Sequence, residues 1–253
     1  MKEELALNYL MSQLWALDQS VLSLMGDLSS RDVASLTKSD LAALSPQALA
    51  AKEGKSVTPI MSRREGVAVL NLTGVISRYA GMFDDICGGL STEAVAKNFA
   101  TARDDPKVKA ILISCDGPGG DAKGIHELSN MIYAARGIKP IIAYVGGDCA
   151  SALYWVASAC DEVVIDRTAL LGSIGVVMTL ERIKPTGEEK YERLEVVSSQ
   201  SPNKRIDAFS DEGKAKNQAM VDQFADIFID TVARNMGQPK DVVLQDFGQG
   251  GVL

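Results

Sequence analysis

From Gly66 onward the apolar residues fall into short dense runs separated by longer stretches of helical period. Residues 67–72, Val-Ala-Val-Leu-Asn-Leu, form a β-type run closed by Thr73-Gly74. The chain then alternates: 92–103 reads as a helix, 108–114 as a buried strand, 122–136 as a helix, 140–145 as a strand, 150–159 as a helix and 162–165 as a short strand. Strands alternating with helices of this length imply βαβ crossovers and a mostly parallel sheet covered on both faces. A long helix over 211–236 follows, with Met220, Phe224, Ile227, Ile229 and Val232 at its apolar positions and Gly237 and Pro239 at its end.

Upstream, Leu10, Leu14, Leu17, Val21 and Leu24 recur at helical spacing, so 1–28 is read as an amphipathic helical arm. Residues 29–65 turn to Ala, Ser, Lys and Asp and read as a linker with short helices. This divides the chain into arm (1–28), linker (29–65), α/β domain (66–237) and a C-terminal segment (238–253). That last segment stops on a glycine turn leading into Val252-Leu253, the pattern expected of a chain cut within a loop.

Composition narrows the function classes. At 253 residues with 46% hydrophobic content, the chain can bury one sizeable α/β core plus an appendage. A net charge of −7 and the lack of a basic stripe argue against nucleic-acid binding, which needs clustered Lys and Arg on phosphate. Cys87, Cys115, Cys149 and Cys160 form neither a CxxC pair nor a dense framework, so they read as free thiols of a reducing cytoplasm. With a single histidine there is no metal-ligand cluster. Lys2 is followed by Glu3 and Glu4, and Asn8, Gln13, Asp18 and Gln19 interrupt the first apolar residues, so neither a secretory leader nor a membrane span is expected.

Chemistry concentrates where predicted strands end, which in open α/β sheets is where sites form. Asp116-Gly117-Pro118-Gly119-Gly120 follows one buried strand and Gly146-Gly147 another. Glycines there let backbone N–H groups approach a ligand oxygen, and they also suit a plain tight turn. The phosphate-loop pattern GxxxxGK[ST] is absent. Ser151 sits at the predicted start of a helix, where it is either an ordinary N-cap or a nucleophile near unpartnered N–H groups. A serine–histidine–aspartate triad would have to use His126, whose alternative is a structural role. A lysine with a depressed pKa can serve as base instead. Lys204, in the small polar run Ser198-Ser199-Gln200-Ser201-Pro202-Asn203-Lys204-Arg205, is the candidate, with a solvated surface lysine as the alternative. Ser173, between Gly172 and Ile174-Gly175, is a second hydroxyl able to orient an amine, or a turn serine.

The order of strand-PGG-helix, then Ala150-Ser151-Ala152-Leu153-Tyr154-Trp155, then Gly172-Ser173-Ile174-Gly175-Val176, then 199–204, resembles the signal peptide peptidase A family of serine–lysine peptidases. Within it, the arm ending in Leu14-Trp15-Ala16-Leu17-Asp18 and the Ser-Ser-Gln-Ser-Pro-Asn-Lys-Arg run are most similar to the phage and prophage head-maturation proteases. The resemblance implies a Clp-protease/crotonase-like α/β fold and an ATP-independent endopeptidase without cofactor. It also implies that Ser151 is the nucleophile, Lys204 the general base and Ser173 the residue holding the lysine. Amides of Gly119 or Gly120 and of Ala152 would form the oxyanion hole. Leu153, Tyr154 and Ile174 would contribute to the substrate pocket. Ala152-Leu153 departs from the two glycines common after the family's serine, which changes the pocket beside the nucleophile. The implied partners are protein substrates, capsid or scaffold proteins among them, and further copies of the chain in a ring. The competing readings are a cytoplasmic signal-peptide-peptidase-like protease, a crotonase-type acyl-CoA enzyme using carboxylates, and a scaffold protein without catalysis. A Clp-type protease fits less well, since no histidine follows Ser151.

Overall fold

The computed structural model describes residues 14–17, 60–79, 90–180, 200 and 206–253. Strands β1 (Trp15–Leu17), β2 (Met61–Arg64), β3 (Val67–Ser77) and β4 (Leu90–Ser91) precede helix α1 (Thr92–Asp104). Then come β5 (Ala110–Asp121), α2 (Ile125–Ala134), β6 (Ile141–Ala150), α3 (Ala152–Ala157), β7 (Glu162–Ile165) and β8 (Leu170–Gly172). The chain ends with α4 (Asp211–Met236) and α5 (Lys240–Asp246).

The sheet runs β2-β3-β5-β6-β7, with β3, β5, β6 and β7 mutually parallel and β2 antiparallel at the edge. The βαβ alternation expected from the sequence is therefore present. One face of the strands is buried: Leu70, Leu72, Ile111, Ile113, Ala143 and Val145, at alternate positions, are inaccessible or nearly so. On the other face Val69, Asn71, Leu112, Ser114 and Ile142 are half-buried and Tyr144 is exposed, so the described residues cover one face where cover on both was expected. Ser91 caps α1 through its Oγ, which accepts from the Ala94 amide at 3.1 Å. Ser210 caps α4 in the same way, accepting from Gly213, and Gly237 ends that helix in the left-handed conformation at φ 63°.

Several expectations change. Residues 14–17 are a strand within the sheet where a helical arm was expected, and residues 61–64, expected within the linker, are the edge strand β2 paired with β3; the rest of the arm and the linker up to residue 59 lie outside the described residues. Helical spacing of leucines alone could not show this, because three residues are too few to display a period of two. Both glycine-rich stretches, expected as turns, are instead the outer halves of long strands: β5 continues through Gly117-Pro118-Gly119-Gly120 to Asp121, and β6 through Gly146-Gly147 to Ala150.

These extensions split the sheet. β5 and β6 stay paired as far as Gly117↔Cys149, with a register shift after Cys115. Beyond it β6 turns to β8, pairing Asp148–Ala150 with Leu170–Gly172, while β5 keeps β3 on one side through Val75↔Gly119 and Ile76↔Gly120. The other edge of β5 is left open to a new partner, and β1 takes it in antiparallel register, Trp15↔Asp121, Ala16↔Gly120 and Leu17↔Gly119. On its far side β1 is bonded to Val177, downstream of β8. The terminal residues pair with β8 as well, Leu171 and Leu253 exchanging N–H···O bonds at 3.1 and 2.8 Å, so the expected terminal loop is an ordered edge.

Candidate active site

Ser151 stands at the fork. Strand β6 ends at Ala150, α3 begins at Ala152, and Ser151 between them takes φ 53° and ψ −116°, a conformation rare for a side-chain-bearing residue. Its N–H donates to the Gly172 carbonyl at 2.7 Å, and its own carbonyl accepts from the Trp155 amide at 2.9 Å. The N-cap alternative fails on geometry, since the side chain makes no capping hydrogen bond. Ser151 is 1% exposed, and its Oγ has no hydrogen-bond partner among the described residues.

The glycines of β5 press on this serine. Gly119, at φ 107°, has no room for a side chain: a Cβ there would lie 3.0 Å from Ser151 Cβ, 3.0 Å from the Ala150 oxygen and 2.3 Å from the Ala16 oxygen. At Gly120 a Cβ would fall 1.8 Å from the Ile76 oxygen. The bare backbone of β5 thus lies directly beside Ser151, and only glycine permits the approach.

Ser173 is brought to the same place. Ala150 pairs with Gly172, so the residues that follow each, Ser151 and Ser173, leave adjacent strands side by side. Ser173 also has a positive φ, 53°, with its N–H donating to the Gly251 carbonyl at 2.7 Å. Ala152 is the first residue of α3 and fully buried. Leu153, Tyr154 and Ile174 are buried in the core around the fork. Burial, with a smaller contribution from Cys149, pushes the Tyr154 phenol up to about 12. Lys204 lies outside the described residues.

His126 is engaged elsewhere. In α2, its Nδ1 meets Thr231 Oγ1 at 3.1 Å and its Nε2 meets the Asn130 side-chain amide at 2.9 Å, so both ring nitrogens are occupied. The ring stands edge-on to Trp155, which stacks on Phe228 of α4 with centroids 4.2 Å apart and planes at 5°. Asn235 bonds both Ser129 Oγ and Ser158 Oγ behind α3. These contacts fix the helix that carries Ser151 from behind. Cys115, Cys149 and Cys160 are free and buried. The Cys149 thiol is raised by its hydrogen bond with Cys115 and by burial, and the Cys160 thiol mainly by burial, so neither is a thiolate at neutral pH. No cluster of three or more His, Cys, Asp or Glu residues suited to a metal occurs among the described residues. No described helix is long and apolar enough to cross a membrane.

A strained serine at a strand-to-helix turn, beside a glycine-bearing strand of an α/β sheet, is the arrangement with which known proteins are compared. Residues 134–253 match the model of peptidase family S49. It is 27% identical over 195 residues to the head-tail preconnector protein GP5 of Enterobacteria phage P21, a match covering 75% of this chain and 38% of that protein. To the capsid assembly protease C of Escherichia phage lambda it is 27% identical over 182 residues, covering 71% of this chain and 42% of the relative. Protease 4 of Salmonella typhi is 32% identical over 98 residues, 38% of this chain and 16% of that protein. The chain therefore spans less than half the length of these relatives. Among solved structures, an enoyl-CoA hydratase from Polaromonas sp. JS666 overlaps 44% of this chain and 49% of its own at 20% identity, with a TM-score of 0.35.

Proposed function

We propose that this chain is a serine endopeptidase in which Ser151 is the nucleophile and Lys204 the general base. One observation carries the reading: a buried serine is held at φ 53° and ψ −116° between strand and helix, its Oγ uncommitted among the described residues and the side-chain-free backbone of β5 beside it. A plain cap has no need of such backbone strain, whereas a nucleophile presented toward a bound carbonyl does. Relatedness to peptidase family S49 supports the same assignment.

In this mechanism Oγ attacks the scissile carbonyl carbon while its proton passes to the neutral Nζ of Lys204. Amides of Gly119 or Gly120 and of Ala152 stabilise the oxyanion. Collapse breaks the C–N bond, and Lys204 returns the proton to the leaving amine. Water, deprotonated by Lys204, then attacks the acyl ester, releasing the carboxylate product and restoring the serine hydroxyl. Ser173, beside Ser151, orients the lysine. Leu153, Tyr154 and Ile174 shape the wall next to the nucleophile.

The phage relatives, by name a head-tail preconnector protein and a capsid assembly protease, support capsid or scaffold proteins as substrates during head maturation. A host-cytoplasmic location and assembly as a ring of copies are further parts of the proposal. Similarity to Protease 4 supports a signal-peptide-peptidase-like role as the second reading. The test is intact-mass spectrometry after a small fluorophosphonate, on the wild type, Ser151→Ala and Lys204→Ala. A single adduct on Ser151, absent in the first variant and at least tenfold slower in the second, is expected. A folded wild type that takes no adduct refutes the proposal and favours an acyl-CoA enzyme or a scaffold.

A further inference from the structure

The fork between β5 and the segment after β8 is a slot shaped for one extended peptide, and residues 14–17 of this chain fill it. Trp15 spends both backbone groups on one wall, its N–H donating to the Val177 carbonyl at 2.9 Å and its carbonyl accepting from the Val177 amide at 2.8 Å. Backbone groups alternate along a strand, so the flanking residues face β5. The Leu14 carbonyl accepts from the Ala122 amide at 2.9 Å, and Ala16 lies opposite Gly120 in the same register. In an antiparallel ladder the next hydrogen-bonded pair after Leu14 and Ala122 is Ala16 and Gly120, which aims the Gly120 N–H at the Ala16 carbonyl. That carbonyl oxygen lies 2.3 Å, and Ser151 Cβ 3.0 Å, from one point, the position that a Cβ on Gly119 would take. Extended main-chain pairing on both edges is how a sheet captures a peptide by strand addition.

We infer that Leu14–Leu17 is bound as a substrate strand and that the first peptide bond presented to Ser151 is the chain's own, Ala16–Leu17. The inference rests on the peptidase reading of Ser151. It adds a substrate, a cleavage position and a specificity. Ala16, fully buried, supplies the residue on the acyl side of the bond, which makes a small side chain the preferred one there. Trp15 is fully buried and Leu14 nearly so, which makes apolar residues the preferred neighbours upstream. Cleavage breaks the Ala16–Leu17 C–N bond. The Ser151 Oγ takes the Ala16 acyl group, the serine proton ends on the Leu17 amine, and water releases Ala16 as a carboxylate. Until residues 1–16 depart, the slot is closed to other peptides.

The experiment follows the full-length chain by intact mass and N-terminal sequencing during incubation after purification, with Ser151→Ala and Ala16→Phe variants alongside and circular dichroism to establish folding. The expected result is conversion of the wild type to a product beginning at Leu17, no conversion in Ser151→Ala, and at least tenfold slower conversion in Ala16→Phe. Fluorophosphonate labelling of the same samples separates the two levels of failure. A wild type labelled on Ser151 that keeps residues 1–16, or is cut at another bond, overturns this inference and leaves the peptidase reading intact. A wild type neither cut nor labelled overturns both.

Discussion

If Ser151 is strained by design, removing its Cβ should help the fold where the same change elsewhere harms it. The residue sits at φ 53° and ψ −116°, a sparsely populated region that costs about 1–3 kcal/mol for a residue with a side chain. Ser151→Ala keeps that strain and loses only the hydroxyl. Ser151→Gly relieves it, against about 0.5–1 kcal/mol of extra unfolded-chain freedom and about 0.8 kcal/mol for one lost buried methyl. The glycine variant is therefore expected to lie between about 0.8 kcal/mol below and about 1.7 kcal/mol above the alanine variant, with the middle of the range slightly above it. At Ala157, buried inside α3, the same alanine-to-glycine exchange has no strain to relieve and should cost about 1.5 kcal/mol or more. Denaturant unfolding at fixed pH, with equal slopes in all four proteins, reads the comparison. A Ser151→Gly protein less stable than Ser151→Ala by as much as the Ala157→Gly loss would mean that the serine is not strained and would remove the main physical support for a nucleophile there.

Two further outcomes test what holds α3 in place. Arg136 donates to the carbonyls of Ser158, Ala159, Cys160 and Asn235, tying the end of α3 to α4, so Arg136→Met should lower stability by about 2–4 kcal/mol in denaturant unfolding; a loss below 0.5 kcal/mol would deny the carbonyls any dependence on it. Burial foremost, then Arg234, holds the His126 pKa below its ordinary value of about 6.5. Between the lowered and the ordinary value the unfolded chain binds a proton that the folded one does not, so stability falls as pH drops below about 6.5. His126→Gln should flatten that part of the midpoint-versus-pH curve between pH 7 and 5.5, and an unchanged slope would show that His126 is not its source.

The α/β core was legible because its cues are local. Each buried strand is a dense apolar run, and two of the helices carry caps that sequence alone displays: Ser91 before α1, Ser210 before α4 and Gly237 after it. Residues 162–165 and 211–236 coincide with β7 and α4 for that reason. The glycine stretches misled because a strand that continues through Pro118-Gly119-Gly120 has the composition of a turn. What requires those glycines is a neighbour distant in sequence, Ile76 against Gly120 and Ser151 against Gly119. Ser151 by itself reads as either a cap or a nucleophile, with the residue type favouring the cap and only the order of motifs favouring the nucleophile. A cap and a strained nucleophile have the same sequence, and they separate only once φ, ψ and the absent capping bond are known.

Strand β1 is the extreme case, and it carries the most functional weight. Nothing local makes Trp15-Ala16-Leu17 a strand. Its hydrogen bonds come from Val177, and Leu14 beside it bonds Ala122, both more than a hundred residues away. A peptide substrate is in the same position, extended only because the slot extends it. The property that hid β1 from sequence reading, a conformation imposed wholly by β5 and by the segment after β8, is therefore the property expected of a bound substrate. A strand belonging to the fold by its own propensity would be rich in β-branched and aromatic residues and alternate polar with apolar; this one has Trp15 alone of those types, with a small residue opposite Gly120 and buried apolar residues before it.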